Sequence, residues 1–325
     1  MQKLSASRGL QESRSFLARQ NTEGWWSYKE GHEPSVETTA WASIALRNDE
    51  ATAHSTTERL LSGQNPDGGW STAPNAGESD WTTAAALLCL RMLTPKALAF
   101  SDGALKSRID RAFTAGIDFL LDSRSQYRTL FDWFRLYQLG SLPLLPGTPC
   151  GFPWNPGSFY WTEPTSYALI ALKPSEHAAR RKIDPDLSRA EDFLLQHACK
   201  GGGWNHGNDI SLSKRLPAYP VTTCIALIAL QAKATGKEVV AALSYLDNIA
   251  ESLNTVISLS YAIGALTLYG RNTDRLVARL LDHRNDDGSF GGSLLHTALA
   301  AFALESHLEV NPLSFGQSAR QRPGA

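Results

Sequence analysis

Short segments with almost no polar position recur along the chain, each led by a hydroxyl residue. They are Thr39-Ala-Trp-Ala-Ser-Ile-Ala-Leu46, Thr83-Ala-Ala-Ala-Leu-Leu-Cys-Leu90, Thr165-Ser-Tyr-Ala-Leu-Ile-Ala-Leu172, Thr223-Cys-Ile-Ala-Leu-Ile-Ala-Leu230 and Thr297-Ala-Leu-Ala-Ala-Phe-Ala-Leu304. A sixth, less regular copy lies at Ser258–Leu266. A helix apolar on all faces is a buried helix. The leading Thr or Ser reads as its N-cap, with the hydroxyl accepting a free backbone N–H.

Segments of a different kind precede most of these, apolar on one side and charged on the other. Examples are Glu58–Leu61, Asp110–Leu121, Arg189–Leu195 and Asp274–Leu281. Ser13–Gln20 is the first candidate, and Lys237–Leu253 covers the fifth. The repeating unit is therefore an outer amphipathic helix, a turn and an inner buried helix. The longest gap between inner helices holds an extra segment, Phe131–Trp161, rich in Pro, Gly and aromatics. Six pairs in a row leave inner helices uncovered, whereas closure into a ring buries all six. The expected fold is all-α, an (α/α)6 toroid of six inner and six outer helices around a central cavity; an open solenoid is the alternative. One toroid domain is expected over residues 1–310, with 311–325 a flexible C-terminal tail.

Tryptophan sharpens this picture. All nine lie between Trp25 and Trp204, most of them in loops beside glycine. The turns repeat a form: Gln20 then Gly24-Trp25-Trp26, Gln64 then Gly68-Gly69-Trp70, and Gln196 then Gly202-Gly203-Trp204. A last copy, His283 then Gly288-Ser-Phe290, replaces Gln by His and Trp by Phe. Glycine permits positive φ at a helix end, the Gln amide can satisfy loose backbone groups, and the indole covers the joint. This pattern resembles the QW motif of the squalene-hopene and oxidosqualene cyclase family, over Phe16 to Leu304. It is weakest between Asp122 and Trp154 and around the fifth unit. The ring of helix pairs also resembles the β-subunit of protein prenyltransferases.

The resemblance implies where chemistry would sit. Class II cyclases of that family carry an Asp-x-Asp-Asp type motif at an inner-helix start, and its central Asp protonates an alkene or epoxide. Such an acid must stay protonated in a desolvated site. Here Glu37 and Glu163 stand two residues before the leading Thr, where the central Asp would be, without flanking aspartates. Asp80 stands one residue further upstream, in Glu-x-Asp-Trp-Thr-Thr. Asp80 keeps the residue type and Glu163 keeps the position within an aromatic-dense stretch, so these two lead and Glu37 follows. The competing reading of all three is helix capping. Trp81, Trp133, Phe134, Trp154, Phe159, Tyr160, Trp161 and Tyr219 are the aromatic candidates for a substrate cavity that stabilises cations. His296, in a His-Thr pair, matches one zinc ligand of the prenyltransferases, but Ser258-Leu-Ser260 stands where Asp-x-Cys is expected. His296 is thus read as a cap or a cavity group. No metal or cofactor is expected. Asp286-Asp287 precedes Gly in a turn and is not read as a diphosphate motif.

The remaining features exclude more than they assign. Net charge is −1, with no basic stripe to suit nucleic acid. The four cysteines form no CxxC pair. No secretory h-region and no apolar span appear, so a cytoplasmic location is expected. Leu142-Pro-Leu-Leu-Pro146 is the candidate for peripheral membrane contact. The expected activity is protonation-initiated cyclisation of an isoprenoid. A non-catalytic isoprenoid- or partner-binding toroid and a prenyltransferase-like enzyme are the alternatives. Substrate length and oligomeric state are not encoded in any pattern found.

Overall fold

The computed structural model describes residues 2–74, 76–99, 103–124, 149–207, 210–211 and 214–316. Its helices are α1 (Gln2–Arg19), α2 (Val36–Ala45), α3 (Glu50–Ser62), α4 (Thr82–Ala97), α5 (Gly103–Ser123), α6 (Thr162–Leu172), α7 (Glu176–Arg181), α8 (Asp184–Gln196), α9 (Pro220–Ala229), α10 (Lys237–Ile249), α11 (Val256–Leu268), α12 (Asp274–Leu281) and α13 (Leu294–Leu308). Two short antiparallel pairs accompany them: β1 (Phe152–Pro153) with β2 (Tyr160–Trp161), and β3 (Ile210–Ser211) with β4 (Lys214–Arg215).

The inner helices touch in the order α2, α4, α6, α9, α11, α13, and α13 touches α2 again. The ring is closed, which rules out the open solenoid. Closure is reinforced where it happens. Glu305 of α13 is buried and takes a bidentate pair from Arg47 at 2.6 and 2.8 Å, with Arg14 of α1 at 3.0 Å. Three segments that are distant in sequence thus meet on one carboxylate, in the paired and hydrogen-bonded form a buried charge requires.

The leading threonines are not the caps the sequence implied. The helices start earlier, and Ser35 and Ser293 cap α2 and α13. Each Thr hydroxyl instead receives the backbone N–H of the joint aromatic. Trp26 donates to Thr39 at 3.0 Å, Trp70 to Thr83 at 2.9 Å, Trp204 to Thr223 at 2.9 Å and Phe290 to Thr297 at 2.9 Å. A fifth copy joins Phe152 to Thr165 at 2.8 Å. That copy, Gly151-Phe152, lies in the segment where the sequence pattern faded, because Phe replaces Trp. The indoles also donate backwards to the outer helix: Trp26 to Leu17 O, Trp70 to Leu60 O and Trp204 to Leu194 O, at 2.7–2.9 Å. All five aromatics are buried, so each joint clamps an outer helix to its inner partner without orphaned donors.

Two glycines show how successive units are spaced. Gly68 has φ +89°, and a Cβ there would lie 2.6 Å from the carbonyl oxygen of Ala115 in α5. Gly288 has φ +88° and would strike the Glu12 carbonyl of α1 at the same distance. The joint therefore sits directly on the backbone of the next outer helix, and the last joint sits on the first helix.

The expected tail boundary at residue 310 moves. Leu313 is buried, Asn311 donates to Gly264 O at 2.7 Å, and Gln231 bonds the backbone of Leu313 and Phe315. Packing on the toroid thus extends past residue 310. Among the described residues no helix is long and apolar enough to cross a membrane. The loop Leu142–Pro146, offered for membrane contact, lies outside the described residues.

Replacing Thr83 by Val tests the joint. It leaves the Trp70 N–H buried without a partner, which costs about 1–3 kcal/mol. The urea midpoint should fall with an unchanged m-value, and Thr83→Ser should restore most of it. An unshifted midpoint for Thr83→Val would show that the hydroxyl is dispensable.

Candidate active site

The joints set the inner helices at a common height. Side chains two residues before and two after the threonine position share one helix face, one turn or about 5.4 Å apart. The upper set is Glu37, Trp81, Glu163, Val221, Ile257 and Leu295, and the lower set is Trp41, Ala85, Tyr167, Ile225, Tyr261 and Leu299. Contacts between helices that are not neighbours in the ring show that this face points at the axis. Tyr167 and Tyr261 meet hydroxyl to hydroxyl at 2.5 Å, and the Trp41 ring lies 5.8 Å from that of Tyr261, edge on. All six lower residues are buried. In the upper set Glu37, Trp81, Val221, Ile257 and Leu295 are half-buried. The axis is thus open at the helix N-termini and plugged one turn below by Trp41, Tyr167 and Tyr261.

The three acids occupy different surroundings. Asp80 accepts from the Thr82 N–H and hydroxyl at 2.8 and 2.7 Å, and from the Thr72 hydroxyl and N–H at 2.7 and 3.2 Å. Its oxygens serve the start of α4 and the preceding loop. Glu163 accepts from the Thr222 hydroxyl at 2.7 Å and meets His206 Nδ1 at 3.0 and 3.1 Å. Among the described residues Glu37 has one hydrogen bond, from the Tyr28 hydroxyl at 2.8 Å. Burial pushes the Glu37 carboxyl above its ordinary range, and the Tyr28 bond offsets this in part. Tyr28 in turn is pushed up to about 12 by burial and by the charge of Glu37. The field of Glu37 also reaches Tyr167 and Tyr261, both raised first by their own burial. Glu37 therefore sits above the aromatic plug, half-buried and bonded to Tyr28.

The aromatic candidates separate into two groups. Trp81 belongs to the axis, 5.1 Å from Tyr167 and 4.9 Å from Trp154, ring to ring. The β1–β2 hairpin and α8 frame a side pocket of about 400 Å³ lined by Phe159, Tyr160, Trp161, Phe193, His197 and His206. Three of the residues expected in the central cavity thus line this pocket. Tyr160 also donates to Arg124 O at 2.6 Å, and Phe159 is exposed at the hairpin turn. Tyr219 packs on His206 at 5.0 Å. His296, half-buried beside Leu295, is held below the ordinary imidazole range by burial and by Lys29. Ser293, not His296, is the cap there. Trp133 and Phe134 lie outside the described residues.

Tyr28, Trp41, Tyr167, Tyr261 and His206 were missed as site residues. Trp41 and Tyr167 stand four residues after Glu37 and Glu163, so the helical period held the signal. His206 comes from a loop with no period to read.

Solved structures share this frame. The type II terpene cyclase MstE from Scytonema aligns with a TM-score of 0.60 at 14% identity, over 94% of this chain and 99% of that one. An MstE variant in complex with geranylgeranyl dihydroxybenzoate, its substrate, gives 0.61 at 13%, over 94% and 98%. A protein from Actinoplanes gives 0.62 at 15%, over 93% and 99%. The fold is similar to the terpene-cyclase toroid. At these identities the likeness is one of fold. The chain matches no protein-family model and no curated protein sequence.

Glu37 makes the stability of this terpene-cyclase-like toroid depend on pH. The folded carboxyl binds its proton more tightly than the unfolded one, whose ordinary value is 4.5. Its stabilising contribution is full below that value and is lost as pH rises through the folded value. In urea titrations across pH 4 to 8, wild type should lose stability relative to Glu37→Gln, with the difference levelling off at the top. Parallel curves would place an ordinary carboxyl at this position.

Proposed function

We propose that the protein is a class II isoprenoid cyclase in which Glu37 is the proton donor. The observation that carries this reading is a carboxyl raised by burial, with one hydrogen-bond donor, directly above a plug of aromatic rings on the toroid axis. The similarity to MstE supports the same class of substrate, a polyprenyl chain bearing a polar or aromatic head. The squalene-hopene-like turn joints are in keeping with it.

The chemistry follows from the layers. The Glu37 O–H adds its proton to a terminal alkene or epoxide, whose electron pair forms the new bond and leaves a cationic carbon. Trp41, Trp81, Tyr167 and Tyr261 present π-faces that stabilise such a cation at ring distances within about 6 Å. Val221, Ile257 and Leu295, on the other half of the upper layer, offer no lone pair to trap it. Ring closure then proceeds by attack of successive internal alkenes. Tyr28, 40% exposed, connects Glu37 to solvent and provides a route for the proton to be replaced.

Purified protein incubated with squalene, geranylgeranyl diphosphate and geranylgeranyl dihydroxybenzoate should convert one of them to a cyclised product seen by mass spectrometry. Glu37→Gln should lower that conversion by roughly 10²-fold or more, the range of a general acid. Asp80→Asn, which alters a loop and helix-start contact, should keep conversion within about tenfold of wild type on the same scale. Full activity in Glu37→Gln would overturn the assignment. Co-purifying isoprenoid with no turnover would favour a binding protein.

A further inference from the structure

A proton given to the substrate at the start must be taken back at the end, and the second acid of the upper layer is paired with a residue of a different compartment. Glu163 is buried on the same layer as Glu37, with Trp81 of α4 between them around the ring. It stands one helical turn above Tyr167 on α6, and its charge is felt there. Its partner His206 has about half its side chain exposed and lines the 400 Å³ side pocket together with Trp161 and His197. The pair therefore spans the wall between the axis and the pocket. Other contacts also hold the wall beside the pair. Thr162 N–H already bonds His206 O at 3.1 Å, and Trp204 N–H already bonds Thr223.

We propose that Glu163 and His206 form the proton outlet of the cavity, a role that rests on the cyclase reading above. Glu163 is the catalytic base, and His206 is a positioning and exchange residue acting through it. In the last step a C–H bond next to the cationic carbon breaks. Its electron pair becomes a C=C bond, and the proton goes to a Glu163 carboxylate oxygen. His206 then exchanges that proton with water in the side pocket, which restores the carboxylate. One proton enters from Glu37 and one leaves through Glu163, so the net reaction is an isomerisation. The Thr222 hydroxyl holds Oε1, which fixes the accepting oxygen relative to the axis.

The test uses the same three probes and resolves products rather than total conversion. Glu163→Gln keeps the shape of the side chain and removes the base. Substrate should still be consumed, while the ratio of water-trapped alcohols and displaced alkenes to the wild-type product rises about tenfold or more. His206→Ala should lower kcat by about tenfold or more with KM little changed, and added imidazole should restore kcat in that variant but not in Glu163→Gln. An unchanged product ratio in Glu163→Gln, or a His206→Ala defect that imidazole leaves untouched, overturns the outlet while the cyclase reading stands. A wild-type protein that cyclises none of the probes removes both.

Discussion

The structure depends on one small contact, the backbone N–H of a joint aromatic donated to a threonine hydroxyl inside the next helix. It occurs at Thr39, Thr83, Thr165, Thr223 and Thr297. A buried N–H must find a partner, so each contact fixes how far its inner helix slides along the axis. Five helices pinned at one height present their side chains in layers. The sixth, α11, carries Leu259 at that position and is set instead by a capping box between Thr255 and Ser258. Its Tyr261 still meets Tyr167, so the layer is complete.

Layering converts a repeat into a site. A toroid of near-identical units has no reason to be asymmetric, yet its upper layer runs Glu, Trp, Glu, Val, Ile, Leu. One half holds both acids and the other is wholly aliphatic. The two glutamates then differ by what reaches them from loops. Tyr28 donates to Glu37, whereas His206 and Thr222 occupy Glu163. The aromatic plug of Trp41, Tyr167 and Tyr261 fills the axis one turn below. Asp80, though closest to the family motif in residue type, is tied to Thr72 and Thr82.

The fold was largely legible because its signals are local and repeated. Apolar segments such as Thr223–Leu230 and the Gly-Gly-Trp turns specify inner helices and joints from a few residues each. The Asp274–Leu281 helix was read with its true limits. What the threonines do was not legible, because capping and pinning both use a hydroxyl near a helix start and differ only in tertiary geometry. Gly151-Phe152 escaped because Phe keeps the backbone N–H of the joint but loses the indole that marks it. Glu37 and Glu163 stand out in the sequence by their offset from Thr. Their surroundings do not, since Tyr28, Thr222 and His206 are brought to them by the ring. The side pocket was hidden for the same reason: Phe159 and Trp161 look alike in sequence to cavity residues, and only the fold brings them beside Phe193, His197 and His206.

The central claim is that Glu37 carries a proton at the pH where the protein works. Carbon-13 NMR of protein labelled at the glutamate carboxyl carbons, with Glu37→Gln used to assign the signal, reads this directly. The account predicts that the Glu37 signal titrates above the ordinary carboxyl value of 4.5, and that it shifts again in Tyr28→Phe. A Glu37 signal that titrates at the ordinary value of 4.5 would contradict it.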